Sequence, residues 1–479
     1  MINEWPTPFG QNICDGNHRK EQAMRMKTVR QIYLDFELPS SPTKVVASYR
    51  KKYGSINALL LANPAVLDLV HSDFCRWLST SEKGRCSGYT SEEILRCLVV
   101  MFVEQDSYRD VVVRIENSDF LRSFVGLGFA KPMMDFSFVG KAFAALSGET
   151  WHAVNQSLAR HAKKKAWISG EKLRTDSTAY ESNIHYPTDS SLLWDSFRVL
   201  CRTLRRLQKA CPKLGLTHRY HDKKVKKLAF YIARNAKSRS KATQRQVKRT
   251  YRLLIERVAW IAGISNEVQK LFAHAILEVS ELVLYTPVAE RIVDQAQRRI
   301  FDGEIVPSNE KVYSLFEEHT ELLKRGKAGK PVEFGHKVLI AQTGEKFITH
   351  YKVMPEREED KDLLEATLEA HRSLFGKLPD TLAADKGFYA SVEQLKGLEK
   401  KITTVSICKK GRRTKKEEER EHGEEFKAGQ AFRAGVEGTI SVLKRAFKLN
   451  RCLFKGYKNF ASSVGCAVFC HNLVLLAET

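Results

Sequence analysis

The chain has 479 residues, 43% of them hydrophobic, which is enough for about two or three packed structural units and excludes a disordered polymer. Its 79 lysines and arginines against 56 aspartates and glutamates give a formal net charge of +23. Such an excess favours a polyanionic partner, most often nucleic acid, although a basic soluble protein without such a partner has the same composition.

Targeting signals and metal-binding cysteines are not apparent in the sequence. The first residues, MINEWPTPFGQN, lack the basic and then apolar pattern of a secretory signal. Phe460–Ala477 approaches membrane-spanning length, but serine, histidine and asparagine interrupt it, so we expect a buried helix and no membrane partner. The ten cysteines show no CxxC pair and no zinc-ligand spacing, and Cys466, Cys470 and His471 are expected in the core. Reduced thiols and a cytoplasmic location follow.

The N-terminal third is predicted to be helical after an initial mixed segment. Residues 1–84, with the basic patch Arg25–Arg30, form an N-terminal module that is a candidate for binding DNA ends. Residues 85–166 form a helical region, in which Thr90 and Glu93 have the spacing of a capping box at the start of a helix.

A strongly basic segment follows a predicted strand over residues 171–180. Between Leu200 and Ile255 there are 18 lysines or arginines and a single acid, Asp222. A solvated helix face normally mixes both signs of charge, so this segment favours a surface that follows phosphates. We interpret residues 193–329 as a basic, mainly helical insertion and connector. Its candidate DNA-binding residues are Lys223, Lys224, Lys226, Lys227, Lys248 and Arg249, and its interleaved aromatics are Tyr220, Phe230, Tyr231 and Tyr251.

The C-terminal part has the pattern of a mixed α/β sheet that the basic segment interrupts. The first predicted elements are a hairpin of residues 337–342 and 346–354 and a helix over 360–375 that ends at Gly376. A strand over 381–384, a helix over 391–398 and a strand over 402–407 follow. The last elements are an exposed or mobile loop over Lys409–Lys427 and a helix from Phe432. Residues 167–192 and 330–479 together therefore form the predicted core.

Two aspartates stand within or directly after predicted strands. Asp176 lies in LRTDST and Asp385 ends the strand LAAD. An unpaired charge on a buried strand is costly, whereas the carboxyl ends of strands are where α/β sheets hold their sites. A cap or turn role is the alternative, and it is a more serious alternative for Asp385, which Lys-Gly follows, than for Asp176.

Glu437 lies between two glycines in the helix FRAGVEGTISVLKRAFK. At about 100° per residue, Arg433, Glu437 and Lys444 share one polar stripe beside a separate apolar stripe. On geometry alone, an ordinary solvent-facing ion pair between Arg433 and Glu437 is the slightly preferred explanation. Gly435 and Gly438 point away from the apolar stripe, so they leave room either for a DNA backbone or for local packing.

The order of several motifs resembles a bacterial insertion-sequence DDE transposase of the ISNCY group. The resemblance rests on LRTDSTAYESNIHYPTDSSLL, YSLFEEHTELLKRGKAGKPVEFGHKVLI, LAADKGFY and the glutamate helix, and it covers most of the chain after residue 85. It implies an RNase H-like core in which Asp176, Asp385 and Glu437 are catalytic and bind two Mg²⁺ ions, for which Mn²⁺ would substitute. It also implies a Tyr-Arg-Glu-Lys signature, matched by Arg433, Glu437 and Lys444 but with Gln430 in place of the tyrosine.

The function implied by the resemblance is a transposase that binds the inverted repeats of its element, hydrolyses the DNA ends and joins them to target DNA. Two metal ions suit an in-line attack on a phosphodiester, and Arg433 and Lys444 would bind phosphates nearby. The expected partners are double-stranded DNA and at least a second copy of the chain. The alternatives are a catalytically inactive transposase-derived DNA-binding protein, a metal-dependent nuclease suggested by Asp380 before Asp385-Lys386, and an RNA-binding protein.

Five other polar residues have open roles in the sequence. His185, Asp189 and Ser190 follow Asp176 closely and either line the site or form turns and caps around Pro187. His336 and His350, near the hairpin, are expected to be structural.

Overall fold

The computed structural model describes residues 27–28, 43–79, 88–128, 131–212, 215–271, 277–327, 330–356 and 358–478. Within these residues the chain forms sixteen α-helices and a seven-stranded mixed sheet, a mostly helical α/β architecture. Most of the basic patch Arg25–Arg30 and the first half of the predicted N-terminal module lie outside the described residues.

Seven helices precede the sheet and share one apolar cluster with the last helix of the chain. They are α1 (Lys44–Ala62), α2 (Pro64–Ser79), α3 (Ser91–Val103), α4 (Tyr108–Glu116), α5 (Asp119–Val125), α6 (Phe136–Ala145) and α7 (Gly148–Lys164), and the last helix is α16 (Tyr457–Glu478). The capping box predicted for α3 is present, because Glu93 N–H donates to Thr90 Oγ1 and Thr90 N–H donates to Glu93 Oε2. Their apolar faces form one large cluster that contains Trp151 and Phe469.

The spatial order of the seven strands differs from their order in the sequence. They are β1 (Lys172–Ser182), β2 (Glu321–Lys327), β3 (Lys330–Thr343), β4 (Ile348–Val353), β5 (Thr381–Ala384), β6 (Thr404–Ser406) and β7 (Arg451–Cys452). The path β2-β3-β1-β5-β6 is continuous, β4 pairs with β3, and β7 pairs with β1. β1 runs antiparallel to β3 and parallel to β5, and β5 runs parallel to β6. The predicted hairpin is confirmed as β3 and β4, whereas β2 was not predicted.

Helices cover both faces of the central strands. Successive residues of β3 point to opposite faces, so Val338 and Ile340 join the cluster of the N-terminal helices and α16, while Leu339 and Ala341 join a second cluster. The helices of this second cluster are α12 (Asp360–Phe375) and α13 (Val392–Glu399). The predicted end of α12 is confirmed, since Gly376 caps it with φ of +81°.

Between β1 and β2 the chain leaves the sheet and forms four helices. They are α8 (Asp189–Ala210), α9 (Asp222–Asn235), α10 (Lys241–Leu271) and α11 (Leu277–Ile300). These helices bury an apolar cluster of their own, which includes Phe197, Leu254 and Ile292. The two ends of the segment meet at one place in the sheet, because β3 residue Gly335 pairs with Glu181 on one side and with Glu321 on the other. Neighbouring strands are about 4.8 Å apart, so entry and exit are separated by about 10 Å.

The charged stretch Lys409–Lys427 is largely helical, so the prediction of a loop was wrong, although most of its side chains are exposed as expected. It contains α14 (Lys415–His422) and the first turn of α15 (Glu424–Ala446). Thr414 and Glu417 form a capping box at the start of α14. A high density of charge is typical of a solvated loop, whereas a cap and opposite charges at helical spacing stabilise even a short polar helix.

The apolar C-terminal segment is a core helix, as predicted. By length and composition α16 is the one described helix that is able to cross a membrane by itself, and 72% of that stretch is buried; the bent pair α1 and α2 meets the same criterion only when taken as one segment. Cys466 and Cys470 are fully buried and His471 is 7% exposed. Every cysteine among the described residues is free.

Candidate active site

Two aspartates lie side by side on neighbouring parallel strands. The register of β1 and β5 pairs Thr175 with Ala384. An aspartate follows each of these two residues in the sequence: Asp176 lies within β1, and Asp385 comes directly after β5. The parallel register therefore brings together two carboxylates that are more than 200 residues apart in the sequence.

The helix α15 carries the third predicted acid on the stripe that the helical period indicated. Val436 and Leu443 are fully buried, whereas the Glu437 side chain is 63% exposed. The predicted separation of a packing face from the stripe with Arg433 and Glu437 is therefore confirmed.

The three acids line one open cavity of about 1040 Å³, and Lys444 lines it with them. Strands β2 and β3, the start of α12 and the loop after β6 supply further charged side chains to its wall. These are Glu321, Lys324, Lys337, Glu358, Glu359, Asp360 and Lys410, together with Arg445 of α15. The cavity thus combines several carboxylates with cations that suit a phosphate backbone.

The Asp176 carboxyl is perturbed by its position in the sheet. Burial raises its pKa to about 6, and the negative charges of Asp385 and Asp360 act in the same direction. The Ser177 N–H, which donates to Asp176 Oδ1 at 2.7 Å, and the Arg433 guanidinium oppose this rise of the pKa. Burial, with a smaller contribution from the neighbouring carboxylates, therefore outweighs the groups that favour the charged form of Asp176.

Arg433 lies between the first and the third acid. Its Nη1 is 3.7 Å from Asp176 Oδ2, and its Nη2 donates to Glu437 Oε1 at 3.1 Å. The ion pair with Glu437 expected for a solvent-facing stripe is thus present, but the same guanidinium also contacts the first aspartate. In this arrangement a side-chain cation occupies the space between two of the predicted metal ligands.

A divalent metal ion fits the donor chemistry of the cavity. In the described part of the chain, no group of three histidine, cysteine, aspartate or glutamate side chains is gathered tightly enough to hold a metal ion. Carboxylate oxygens are nevertheless the ligands that Mg²⁺ prefers, and the three acids line one cavity. The assignment of Asp176, Asp385 and Glu437 as metal ligands stays a prediction, and it requires the three carboxylates to draw closer.

Asp360 is a cavity residue that the sequence analysis missed. It is the first residue of α12, its Oδ1 lies 2.6 Å from Lys337 Nζ of β3, and it raises the pKa of Asp176. A side chain at Gly387 would contact it, so it lies over the loop that follows Asp385. An aspartate in the first turn is an ordinary helix-start residue, and only the path of the chain from β4 brings it to the cavity.

Three polar residues that follow Asp176 do not line the cavity. Asp189 is 3% exposed, and its Oδ2 pairs with Arg299 Nη1 at 2.6 Å. His185 Nε2 lies 3.5 Å from Asp195 Oδ2, and Ser190 stands in the first turn of α8 beside its cap. The interpretation that these residues line the site is therefore not supported, and the contacts of Asp189 and His185 are ion pairs, while the cap of α8 is formed by Thr188 and Ser191.

The two histidines near the hairpin make packing contacts, as predicted. His336 is fully buried and shares a hydrogen bond with His319 at 2.8 Å. His350 packs edge-on against His152, and burial lowers the pKa of His336 and of His350 to about 4.

The basic candidates lie on the helical segment, away from the cavity lining. All six are exposed, with Lys223, Lys224, Lys226 and Lys227 on α9 and Lys248 and Arg249 on α10. Two of the four interleaved aromatics are also accessible: Phe230 is 50% and Tyr231 37% exposed. Tyr220 and Tyr251 are core residues, so only half of the predicted aromatic set is able to face a ligand.

The two glycines beside Glu437 have different surroundings. Gly435 packs against the guanidinium of Arg174, so the hypothesis that it admits a DNA backbone was wrong for this glycine. A Cβ added at Gly438 would meet nothing within 4 Å outside its own helix, so the space beside this glycine is open. Gln430, at the tyrosine position of the signature, donates to the Ser406 carbonyl of β6 at 2.8 Å and so has a structural contact.

The site as a whole is an acidic cleft at the carboxyl end of a parallel strand in an α/β sheet, where such proteins hold their ligands. Residues 295–473 match a protein-family model described as the Transposase DDE domain. The matched segment includes Asp385 and Glu437 and begins after Asp176. The match supports a DDE transposase, a family that acts on DNA and generally uses divalent metals. No curated protein and no solved structure matches the chain.

Proposed function

We propose that this protein is an insertion-sequence transposase of the ISNCY type that cleaves the ends of its element and transfers them into target DNA. The observation that carries the proposal is the register of β1 and β5, which sets Asp176 beside Asp385 on one wall of a cavity that Glu437 also lines. The family match over residues 295–473 adds support for the second aspartate and the glutamate.

The sheet supports an RNase H-like core for this function. Leaving out β2 and β7, its order is β4-β3-β1-β5-β6, with an antiparallel β1-β3-β4 meander and parallel β5 and β6. We assign this core to residues 167–192 and 330–479 and its insertion and connector to residues 193–329, with the strand β2 at the end of the connector joining the sheet. Residues 85–166 are the helical region common to related elements, and residues 1–84 a module for binding DNA ends.

The residues of the cavity have separate roles in the proposed reaction. Asp176, Asp385 and Glu437 would hold two Mg²⁺ ions, which when bound activate the attacking hydroxyl and stabilise the leaving oxygen. Lys444 binds a phosphate near the scissile bond. Arg433 exchanges its carboxylate partners for a phosphate as the three acids draw together, because its planar guanidinium suits both anions.

The DNA duplex would extend from the cavity onto the helical insertion. The exposed lysines of α9 and the pair Lys248 and Arg249 of α10 bind its phosphates without reading sequence. Two element ends must be handled together, so we infer that the active form on DNA is a dimer or larger.

A cleavage assay with paired carboxamide variants tests the proposal. Duplex DNA that carries an element end is incubated with the protein and Mg²⁺ or Mn²⁺. Asp176→Asn, Asp385→Asn and Glu437→Gln are each expected to lower cleavage on the order of 10³-fold or more while DNA binding persists. Asp380→Asn is the matched control, because Asp380 is an exposed acid at the opposite end of the short strand β5.

Each alternative function has a distinct outcome in this assay. DNA binding without cleavage under any metal condition would identify a catalytically inactive transposase-derived DNA-binding protein. Cleavage without joining of the ends would indicate a nuclease, and loss of activity in Asp380→Asn would favour the nuclease motif that includes this residue. Preference for RNA over element-end DNA in competition binding would support the RNA-binding alternative.

A further inference from the structure

A buried polar network joins the glutamate helix to two central strands. Arg174 of β1 is 5% exposed, and its Nη1 donates to the Phe432 carbonyl of α15 at 2.8 Å. The same guanidinium lies 4.6 Å from the centre of the Phe432 ring. Gln342 of β3, with its amide oxygen toward Arg174, accepts from Nη2 at 2.8 Å and donates to Thr439 Oγ1 at 2.8 Å. Because Gln342 and Thr439 are also buried, water competes little for these bonds.

Gly435 permits the close approach of α15 to this network. A Cβ at this position would overlap Arg174 Nη1 and lie 2.7 Å from Cζ. Any side chain there would displace either the guanidinium or the helix. At Gly438, one turn further along the same helix, a Cβ would meet nothing within 4 Å. The requirement for glycine at position 435 therefore comes from the arginine, and not from the helix itself.

We propose that Arg174 is a positioning residue for the reaction, an inference that rests on the proposed function of the three acids. Phe432 and Gly435 precede Glu437 and Thr439 follows it, so the network holds α15 on both sides of the glutamate. Arg174 and Asp176 are two residues apart on β1 and point to the same face of the sheet. One strand thus carries both the first acid and the anchor that sets the third acid opposite it.

A matched arginine elsewhere separates positioning from general stability. Arg96 of α3 is 6% exposed, donates to the Phe124 carbonyl at 3.0 Å and lies 5.3 Å from the Phe124 ring. Like Arg174, it sets a buried guanidinium against a backbone carbonyl and an aromatic ring, but it differs in pairing with Glu92 at 2.9 Å and in lying on α3. Both Arg174→Met and Arg96→Met remove a buried guanidinium that donates to a backbone carbonyl, but only Arg174 donates to the helix of the glutamate. Arg96→Met also removes the ion pair with Glu92, so it is the more demanding control for stability.

The first experiment compares turnover with DNA affinity in these two variants. At a temperature where both are folded, Arg174→Met is expected to lower the kcat of DNA cleavage about 10²-fold, because a displacement of about 1 Å at a reacting group has this effect. Its Kd for element-end DNA is expected to stay within about twofold, since the phosphate-binding residues of the insertion are unchanged. Arg96→Met is expected to keep kcat within about threefold. Equal loss of kcat in both variants, or unchanged kcat in Arg174→Met, would overturn the proposal.

The second experiment needs no catalytic activity. Hydrogen exchange of the amides between Phe432 and Thr439 is measured in Gly435→Ala, in Arg174→Ala and in the double variant. Gly435→Ala alone is expected to speed exchange at least tenfold. In the Arg174→Ala background it is expected to add little, because the alanine methyl group then has room where the guanidinium was. Additive effects would refute the docking contact. A wild-type protein that does not cleave DNA would refute the proposed function instead, and the exchange cycle would still decide whether Arg174 docks α15.

Discussion

Asp176 keeps a carboxyl in a partly buried position where its pKa is about 6, compared with an ordinary value of 3.8. The folded protein therefore holds this proton more tightly than the unfolded chain does, and stability falls as the pH rises between about 4 and 6. Above pH 6 the carboxylate of Asp176 is charged in the folded protein, and the cost of burying this charge then lowers the stability of the metal-free protein by its largest amount. A divalent cation in the cavity would relieve this cost.

Asp176→Asn is expected to raise the free energy of unfolding at pH 8 by up to about 3 kcal/mol in metal-free buffer, at 1.36 kcal/mol per unit of pKa. The gain should shrink toward pH 4.5, where the aspartate is protonated in the folded protein. Urea denaturation at both pH values measures the difference, with the exposed Asp380→Asn as control. A gain of equal size at both pH values would mean that ionisation of Asp176 is not its cause.

A substitution at Gly438 tests whether bound DNA passes close to this glycine. An alanine there meets no neighbour, so Gly438→Ala is expected to raise the free energy of unfolding by about 0.5–1 kcal/mol through helix propensity. If the bound DNA backbone passes this glycine, the same variant will bind element-end DNA more weakly despite its stability. Chemical denaturation and DNA titration of one preparation measure both effects, and unchanged affinity would remove Gly438 from the DNA path.

The helix α9 presents its lysines with little opposing charge, since Asp222 pairs with Arg205 at 2.9 Å. Lys226→Ala with Lys227→Ala is expected to weaken DNA binding for all sequences alike and to reduce the salt dependence of the affinity. The slope of log affinity against log salt is expected to change by about 0.9 for each phosphate that the variant no longer neutralises. Lys164→Ala with Lys165→Ala, an exposed pair at the end of α7, is the control, and an equal effect there would indicate nonspecific charge.

Elements with strong periodicity and local stop signals could be predicted from the sequence. The bounds of α12 and β5 were predicted to the residue, because Gly376 and Asp385 end them locally. The strand β2 was missed because ELLKRGK is charged, as suits a strand at the edge of a sheet. The helix α14 was missed because its residues are polar throughout.

The candidate site was only partly accessible to sequence reasoning. The stripe of Arg433 and Glu437 follows from the helical period, but the adjacency of Asp176 and Asp385 depends on strand register. The contact of Arg174 with α15 joins residues 258 positions apart, and no local pattern encodes it. Distant contacts of this kind need the whole path of the chain.

At the scale of the whole molecule, the assembly on DNA is the property most directly tied to transposition. The catalytically impaired variant Glu437→Gln, mixed with duplex element ends, is expected to form a complex that contains two protein chains and two DNA ends. Light scattering coupled to size exclusion measures its mass without interference from cleavage. A complex of one chain with one end at saturating concentrations would contradict the inferred dimer.

The helical segment between β1 and β2 affects the order in which the parts of this protein form during synthesis. Thr175 pairs with Ala341 of β3, which leaves the ribosome more than 160 residues later. At roughly 5–20 residues per second, β1 waits about 10–30 s for this partner. The four helices of the segment bury an apolar cluster without the sheet, so we expect them to be folded before β1 gains its first neighbour. The catalytic strand is then an exposed edge in the nascent chain, and protection from aggregation matters most during this interval.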